Sequence, residues 1–276
     1  MNNPRFVFFG TPDIAVTALE ELINLGLIPT LVVTGEDKPQ QRRLEIKPTP
    51  VALCAQQNQI PTLKPSKLKD IESQLKDVNA DFFLVVAYGK ILPSWLLDIP
   101  HRKVLNIHPS LLPLYRGPSP IESALLDGVS KTGVTLMELD EEMDHGRLIA
   151  QKEIEVTTDT TKAFLYTTLA KEGAHLLKET ITSYLDGTRT PHEQDHTHAT
   201  YSRKFTKEDG QIDPHTDTGL TTWNKWRAFK GWPGLYFFDN NVRVKITDAV
   251  YANGTFTITK VIPEGRKEIS YTEYLQ

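Results

Sequence analysis

The stretch RFVFFGTPDIAVTALEELINLG, from Arg5 to Gly26, decides the fold because it places a buried strand directly before a helix. The apolar run FVFF is typical of a strand that is covered on both faces. Thr11 is expected to cap the helix, with Pro12 at its first position and Gly26 at its end. A strand that leads straight into a helix is the repeating unit of α/β folds.

The same alternation continues along the chain. Further strands are predicted in IPTLVVTG, ADFFLVVAYG and KVLNIHPS, and helices in TPVALCAQQNQ and SKLKDIESQLKDV. TGVTLMELD and RLIAQKEIEV form two more strands that could pair, and a long helix then runs to Gly187. The sequence therefore predicts an α/β class with a Rossmann-like, mostly parallel sheet.

A second region of different character begins after residue 189. TRTPHEQDHTHATYSRK is polar and aperiodic, which predicts a linker, and the strand runs beyond it are joined by Asn-Asn and Asn-Gly turns. We expect a catalytic domain over residues 1–189, a linker over 190–204 and a small, mostly β domain over 205–276. Trp223, Trp226 and Phe229 recur at helical spacing and favour packing over base stacking.

Composition narrows the class of protein. No apolar run approaches the roughly 20 residues that a membrane helix needs, and the N-terminus lacks a signal-peptide pattern. Cys54 is the single cysteine and is interpreted as a core residue, which fits a reducing, cytoplasmic setting. The net charge is −4, but residues 202–276 carry 11 basic and 9 acidic side chains, a slight local excess of positive charge.

The turn Gly10-Thr11-Pro12 lies where a dinucleotide would bind in a doubly wound fold. The nicotinamide fingerprint needs two further glycines, and Pro12 occupies the place of the second. This excludes a dinucleotide site of that type and leaves a tight turn that opens a substrate crevice.

Polar residues follow at the end of the strand in VLNIHPSLLPLYRG, from Val104 to Gly117. Asn106 and His108 are two residues apart, so both side chains leave the same face of the strand. Ligands of open parallel sheets bind at the carboxyl ends of the strands. Asp144, in the connection after the next strand, is a candidate acidic partner that would orient His108 and favour its charged form. The alternative is a polar pair that caps a loop.

Taken together, NIHPSLLPLYRGPSPI and TGVTLMELDEEMDHGRLIAQ resemble the folate-dependent formyltransferases, with Asn-x-His, Ser-Leu-Leu-Pro, Arg-Gly and Asp-x-Gly in order at family-like spacing. The resemblance covers nearly the whole chain. It implies that Asn106, His108 and Asp144 are catalytic, and that the C-terminal domain is a shortened β-barrel, since little sequence follows Trp232.

The resemblance also implies 10-formyltetrahydrofolate as co-substrate and no metal. VVAYGKILP, from Val85 to Pro93, resembles the loop that contacts the pterin in this family. The residues expected to bind folate are Tyr88, Gly89, Ile91, Leu92, Ser110, Leu111, Leu112, Pro113 and Asp140.

One subfamily fits best, the one that formylates methionyl initiator tRNA in translation initiation. VTGEDKPQQRRLEIKPTPV resembles its basic insertion, which contacts the tRNA acceptor end, and RAFKGWPG resembles the entry to its C-terminal domain. The residues expected to bind tRNA are Lys38, Arg42, Arg43 and Lys47. Two alternatives stay open: an enzyme that formylates a nucleotide-linked amino sugar, and a folate- or RNA-binding protein without turnover.

One further cluster could suggest a metal. HEQDHTH places His192, His196 and His198 close to acidic residues, but the segment is polar and has no second cluster, which favours a solvated segment. His145 is adjacent to Asp144 and is given no role.

Overall fold

A computed structural model describes residues 3–40 and 45–276, without the side chains of residues 38–40, 45 and 46. The chain forms two compact units. The first comprises Met1–Arg116, Gly133–Ile154 and Tyr166–Thr200, and the second comprises Gly117–Thr132, Glu155–Leu165 and Tyr201–Gln276.

A mostly parallel sheet forms the body of the first unit, as the sequence predicts. Its strands and those of a small hairpin are β1 (Phe6–Gly10), β2 (Leu31–Val33), β3 (Lys38–Gln40), β4 (Glu45–Lys47), β5 (Thr62–Leu63), β6 (Phe82–Val86), β7 (Val104–His108), β8 (Lys131–Glu138) and β9 (Leu148–Glu155). Within the described residues the main sheet has seven strands in the order β5-β2-β1-β6-β7-β8-β9. The first five are parallel, and β8 runs antiparallel to β7.

Helices alternate with these strands. They are α1 (Asp13–Asn24), α2 (Pro50–Gln57), α3 (Glu72–Asp77), α4 (Ser94–Leu97), α5 (Pro120–Asp127) and α6 (Lys162–Leu185), and a short 3₁₀ turn, Leu68–Ile71, precedes α3. The expected cap of α1 is wrong: Pro12 is the N-cap residue and makes no side-chain cap. The Thr11 hydroxyl instead donates to the Tyr88 carbonyl oxygen at 3.1 Å, so it joins two strand ends.

Helix α6 passes very close to β7. A methyl group at Gly173 would lie 2.3 Å from Ile107 Cγ2, so a side chain there would force the helix away. Because side chains alternate along a strand, Asn106 and His108 project from the face opposite to Ile107. The helix therefore covers one face of β7 and leaves the other face to the polar pair.

The second unit contains an antiparallel sheet. Its later elements are α7 (Leu220–Phe229), β10 (Tyr236–Asp239), β11 (Val242–Ala252), β12 (Thr255–Pro263), β13 (Ile269–Ser270) and α8 (Tyr271–Tyr274). The four strands lie in the order β10-β11-β12-β13, which confirms a small β domain at the C-terminus. Trp226 and Phe229 are buried in α7, as expected for packing residues. None of the described helices is long and apolar enough to cross a lipid bilayer.

Candidate active site

The carboxyl ends of three parallel strands meet at one edge of the sheet. Strand β6 lies between β1 and β7, with Val85 paired to Phe9 on one side and to Asn106 on the other. The Thr11–Tyr88 hydrogen bond ties the ends of β1 and β6 together. This is the edge at which open α/β sheets bind ligands.

Asn106 lies within the sheet register at this edge, opposite Met137 of β8. Its residue exposure is only 9%. In the described part of the chain no side-chain hydrogen bond involves the Asn106 amide, which has two N–H donors. A buried amide with uncommitted donors is suited to binding an oxygen atom of a ligand.

His108 faces two different partners. Its Nε2 atom lies 3.1 Å from the Tyr115 carbonyl oxygen, which can only accept, so Nε2 carries a hydrogen. Its Nδ1 atom lies 3.6 Å from Asp144 Oδ1. That separation is too long for a direct hydrogen bond but close enough for an ion pair. With a hydrogen on both ring nitrogens, His108 would donate Nε2–H to Tyr115 and direct Nδ1–H toward Asp144 at a distance that leaves this second N–H without a direct hydrogen bond.

Asp144 lies on the connection between β8 and β9, where the chain has no regular structure. Its side chain is 14% exposed, and its φ of 52° is in the left-handed region, which aspartate tolerates better than most residues. Two residues on, a methyl group at Gly146 would lie 2.1 Å from the Glu138 carbonyl oxygen. The connection is thus folded tightly back on the end of β8.

The Ser-Leu-Leu-Pro loop, Ser110–Pro113, is held in place by hydrogen bonds to Thr135 of β8. The Thr135 hydroxyl donates to the Ser110 carbonyl oxygen at 2.6 Å and accepts from the Leu112 amide at 3.2 Å. Gln151 donates to the same hydroxyl at 2.9 Å and to the Leu112 carbonyl oxygen at 2.8 Å. This network fixes the backbone of two of the loop residues expected to line the folate side, Ser110 and Leu112.

The remaining folate-binding candidates differ in their surroundings. Tyr88 is buried, and among the described residues its hydroxyl has no hydrogen-bond partner. Burial raises the pKa of Tyr88 to about 12, so the hydroxyl remains a donor at neutral pH. Ile91 is 95% exposed, which is unusual for so large an apolar side chain.

Asp140 is exposed at the start of the Asp144 connection, where its carboxylate contacts His145 Nδ1 at 2.7 Å and accepts from the Glu142 amide at 3.0 Å. These bonds organise the connection itself. The prediction that Asp140 binds folate has no direct support from this geometry and stays a prediction.

Two residues without a predicted role lie beside Asp144. The Arg116 side chain is 2% exposed, and its guanidinium donates to Gln194 Oε1. Gln194 is 4% exposed and donates to the carbonyl oxygens of Asp144 and Gly146. Arg116 belongs to the quoted Arg-Gly motif, but Gln194 is a polar residue in an aperiodic segment, where no periodicity marks it as buried.

The histidine-rich segment is only partly the solvated one that the sequence predicts. Its histidines, His192, His196 and His198, are exposed, whereas Gln194 between them is buried. His192 pairs with Leu148 through two backbone hydrogen bonds. Within residues 3–40 and 45–276, no group of three or more His, Cys, Asp or Glu side chains is placed to hold a metal ion.

The basic insertion begins and ends in the β3–β4 hairpin. Lys38 and Lys47 are directly opposite each other in that hairpin. Arg42 and Arg43 lie outside the described residues. The hairpin therefore brings the two ends of the predicted tRNA-binding segment together.

Two family models match the chain. The formyl transferase model matches residues 4–181, and the model of the formyl transferase C-terminal domain matches residues 204–269. The first match contains Asn106, His108, Asp144 and Arg116, whereas Gln194 lies between the two.

Curated relatives are similar over most of their length. The chain is 41% identical to a methionyl-tRNA formyltransferase of Sulfurihydrogenibium sp., with 89% of this chain and 79% of that protein covered. It is 35% identical to the methionyl-tRNA formyltransferase of Geobacillus thermodenitrificans, with 99% and 93% covered.

Solved structures share the fold at lower identity. An N-formyltransferase from Helicobacter canadensis, in complex with folinic acid and dTDP-3-aminofucose, matches with a TM-score of 0.67 at 21% identity, covering 92% of this chain and 89% of that one. HypX from Aquifex aeolicus, in complex with tetrahydrofolic acid, matches with a TM-score of 0.67 at 18% identity, covering 99% and 47%. At these identities the likeness concerns the fold alone.

Proposed function

Because the chain belongs to the formyltransferase family, we propose that it transfers a formyl group from 10-formyltetrahydrofolate to the α-amino group of methionyl initiator tRNA. The observation that carries this is the set of methionyl-tRNA formyltransferases at 35–41% identity over most of both chains. The site geometry supports the proposal, because it brings an amide, an imidazole and a carboxylate to one edge of the sheet.

The oxygen of the formyl group is the atom that the site must stabilise. When the neutral amine attacks the formyl carbon, a carbon–nitrogen bond forms and negative charge develops on that oxygen. The amide of Asn106, and an Nδ1–H on His108, would be the donors to this oxygen. Donors set in place before the charge develops can contribute a factor of about 10²–10³ in rate.

Asp144 would act on His108 and on the proton. Its carboxylate faces Nδ1 from 3.6 Å, so it holds the ring orientation and stabilises positive charge on the ring. The attacking nitrogen loses a proton, and the bond from the formyl carbon to the folate nitrogen breaks as that nitrogen gains one. Asp144 and His108 together would relay this proton.

The co-substrate would lie against the two loops at the sheet edge. The Tyr88 hydroxyl is buried without a partner among the described residues, and such a donor is costly unless a ligand satisfies it. The exposed Ile91 offers an apolar surface suited to a pterin ring. The loop of Ser110–Pro113 is already ordered by Thr135, which lowers the entropy cost of binding.

The tRNA would be bound partly through charge. Lys38, Arg42, Arg43 and Lys47 lie within residues 38–47, the basic hairpin segment, whose two described ends pair with each other. Lys and Arg side chains bind phosphates without reading sequence. Residues 202–276 carry only a slight excess of positive charge and would contribute less.

A second candidate acceptor is a nucleotide-linked amino sugar. The shared fold with a structure that contains dTDP-3-aminofucose is the observation in its favour. The basic hairpin segment argues against it, because a single nucleotide sugar offers few phosphates to four cations. A binding protein without turnover is less consistent with the site, because binding alone does not need the arrangement of Asn106, His108 and Asp144.

The test is a parallel transfer assay. The protein is given 10-formyltetrahydrofolate with either charged methionyl initiator tRNA or a nucleotide-linked amino sugar, and N-formyl product is measured. We expect transfer to the tRNA only. Transfer only to the sugar would mean that the proposed acceptor is wrong and the proposed formyl-transfer chemistry is right. Binding of tRNA without transfer to either acceptor would mean that the protein binds its ligands without turnover.

A further inference from the structure

We propose that Gln194 and Arg116 are positioning residues that hold the Asp144 connection so that its carboxylate faces His108. This inference rests on the proposed role of Asp144 and assigns a function to a residue of the histidine-rich segment. All of the residues involved lie in the first compact unit.

Gln194 joins two carbonyl oxygens of the connection. Its single Nε2 group donates to the Asp144 oxygen at 2.9 Å and to the Gly146 oxygen at 2.8 Å. These two carbonyl oxygens belong to the residues on either side of His145, so one buried amide holds the backbone before and after that residue. Asp144 has a φ of 52°, a conformation that the surrounding contacts must maintain.

Arg116 fixes which way the Gln194 amide points. Its Nε and Nη2 atoms lie 3.2 and 2.7 Å from Gln194 Oε1. A guanidinium can only donate and a carbonyl oxygen can only accept. Only one orientation of the amide therefore suits both neighbours, because a flip would place donors against donors and acceptors against acceptors.

The same guanidinium also contacts His196, which is exposed. Arg116 Nη2 lies 2.8 Å from His196 Nδ1, which must accept and is therefore unprotonated in this arrangement. The His196 ring stacks on His145 with centroids 4.1 Å apart and an angle of 5°. His145 in turn contacts Asp140, so the connection is held at both ends.

The segment that carries Gln194 is itself anchored. The Leu148 amide donates to the His192 carbonyl oxygen at 2.8 Å, and the His192 amide donates back at 3.0 Å. The Thr200 carbonyl oxygen accepts from the Arg116 amide at 2.9 Å. Gln194 thus lies in a segment, residues 192–200, whose backbone is hydrogen-bonded to other parts of the unit at both ends. It can therefore hold the Asp144 backbone in place, because it does not move with it.

The decisive variant is Gln194→Glu, which keeps the volume and the contact with Arg116. An ionised carboxylate cannot donate to the two carbonyl oxygens, so the connection should shift away from His108. We expect kcat for formyl transfer to methionyl initiator tRNA to fall about 10- to 100-fold. KM for 10-formyltetrahydrofolate should change less than kcat, because the folate loops are held by other residues. Gln57→Glu, an exposed site in α2, is the matched control and should match the unmodified protein.

A double-mutant cycle separates positioning from general loss of structure. Asp144→Asn alone should slow transfer strongly, and Gln194→Glu should have little further effect in that background, because its target is already gone. The Tm of Asp144→Asn should stay close to that of the unmodified protein, and the Tm of Gln194→Glu should fall only modestly, because two buried carbonyl oxygens lose their donor. A large shift in Tm with additive losses of kcat would mean that Gln194 only stabilises the fold, and would overturn the inference.

The two possible failures are distinguishable. If Asp144→Asn turns over normally, the proposed role of Asp144 is wrong, and the inference falls with it. If Asp144→Asn is slow but Gln194→Glu retains normal kcat, the role of Asp144 stands and only the positioning inference is wrong.

Discussion

Asn106 and His108 on one side of the site, and Asp144 on the other, are held by different kinds of structure. The first two belong to β7, and the pairing of that strand with β6 and β8 fixes where their side chains point. Asp144 lies on an irregular connection, and its backbone is held by a side chain fifty positions further along the chain. Strand register positions one half of the site, and buried hydrogen bonds position the other.

This difference has a physical consequence. Displacing a strand residue requires breaking the sheet, so a substitution there removes chemistry and leaves geometry intact. The connection has no sheet partners for Asp144, so the loss of one buried hydrogen bond can move it. Variants on the strand side should therefore lose rate without change in stability, whereas variants on the connection side can lose both.

The largest effect should come from the strand side. His108→Ala removes both the charged donor and the proton relay, and we expect kcat to fall about 10³-fold, within the range for general acid–base groups. Binding of folate, measured by titration, should stay within a few-fold. His101→Ala is the control, because His101 is exposed and contacts Asn79. A comparable loss of folate binding would mean that His108 shapes the folate pocket, and would contradict the expectation that a substitution on the strand removes chemistry and leaves geometry intact.

The next effect concerns the connection side. Arg116→Lys keeps the charge but loses the fork that contacts Gln194 and His196 together. We expect kcat to fall about 10-fold or more. The free energy of unfolding in urea should fall by about 1–3 kcal/mol, because a buried acceptor loses a partner. A lower kcat with an unchanged free energy of unfolding would mean that the connection responds to substitution as strand β7 does, which would contradict the difference described above.

A smaller effect is expected at the Ser110–Pro113 loop, where a substitution should weaken folate binding more than it slows the reaction. Thr135→Val preserves shape but removes the hydroxyl that contacts the Ser110 carbonyl and the Leu112 amide. We expect KM for 10-formyltetrahydrofolate to rise about 10-fold, as one or two buried groups lose their partners. Thr182→Val, at an exposed site in α6, is the control. An equal fall in kcat would indicate that the loop also positions the reacting groups.

The smallest effect should lie in the basic hairpin segment. Arg42→Ala should weaken tRNA binding a few-fold and reduce the slope of log affinity against log salt by about 1. Folate kinetics should not change. Lys178→Ala, on the exposed side of α6, controls for the general loss of one positive charge. A salt-independent loss would mean that Arg42 acts through structure and not through phosphate contacts.

The contrast between the two sides also explains what could be predicted from sequence. Asn106 and His108 can be predicted from the sequence, because side-chain alternation along a strand is a local pattern. Ligands of open parallel sheets also bind at the carboxyl ends of the strands, where these two residues lie. Asp144 could be proposed as a partner, and only the family resemblance singled it out. The hydroxyl of Thr11 was assigned to a helix cap, whereas the structure uses it across the sheet, because helix capping is a local preference that tertiary contacts can override.

Gln194 could not be predicted for a different reason. Its neighbours are polar and exposed, so neither composition nor periodicity marks it as buried. Its partners lie at residues 116, 144 and 146. They come close to Gln194 only once residues 192–200 have folded against the connection between β8 and β9. Short polar segments that pair over long sequence distances leave no periodic signal.

The most direct test of the account is single-turnover formyl transfer by Asn106→Ala with saturating 10-formyltetrahydrofolate and methionyl initiator tRNA. Asn106 is the strand residue whose amide has no competing hydrogen bond in the described part of the chain, so its loss should remove one oxyanion donor and nothing else. We predict a rate about 10²–10³ lower, with binding of both substrates and the unfolding temperature unchanged. The exposed control Asn58→Ala should show no such loss. Near-normal transfer by Asn106→Ala would contradict it.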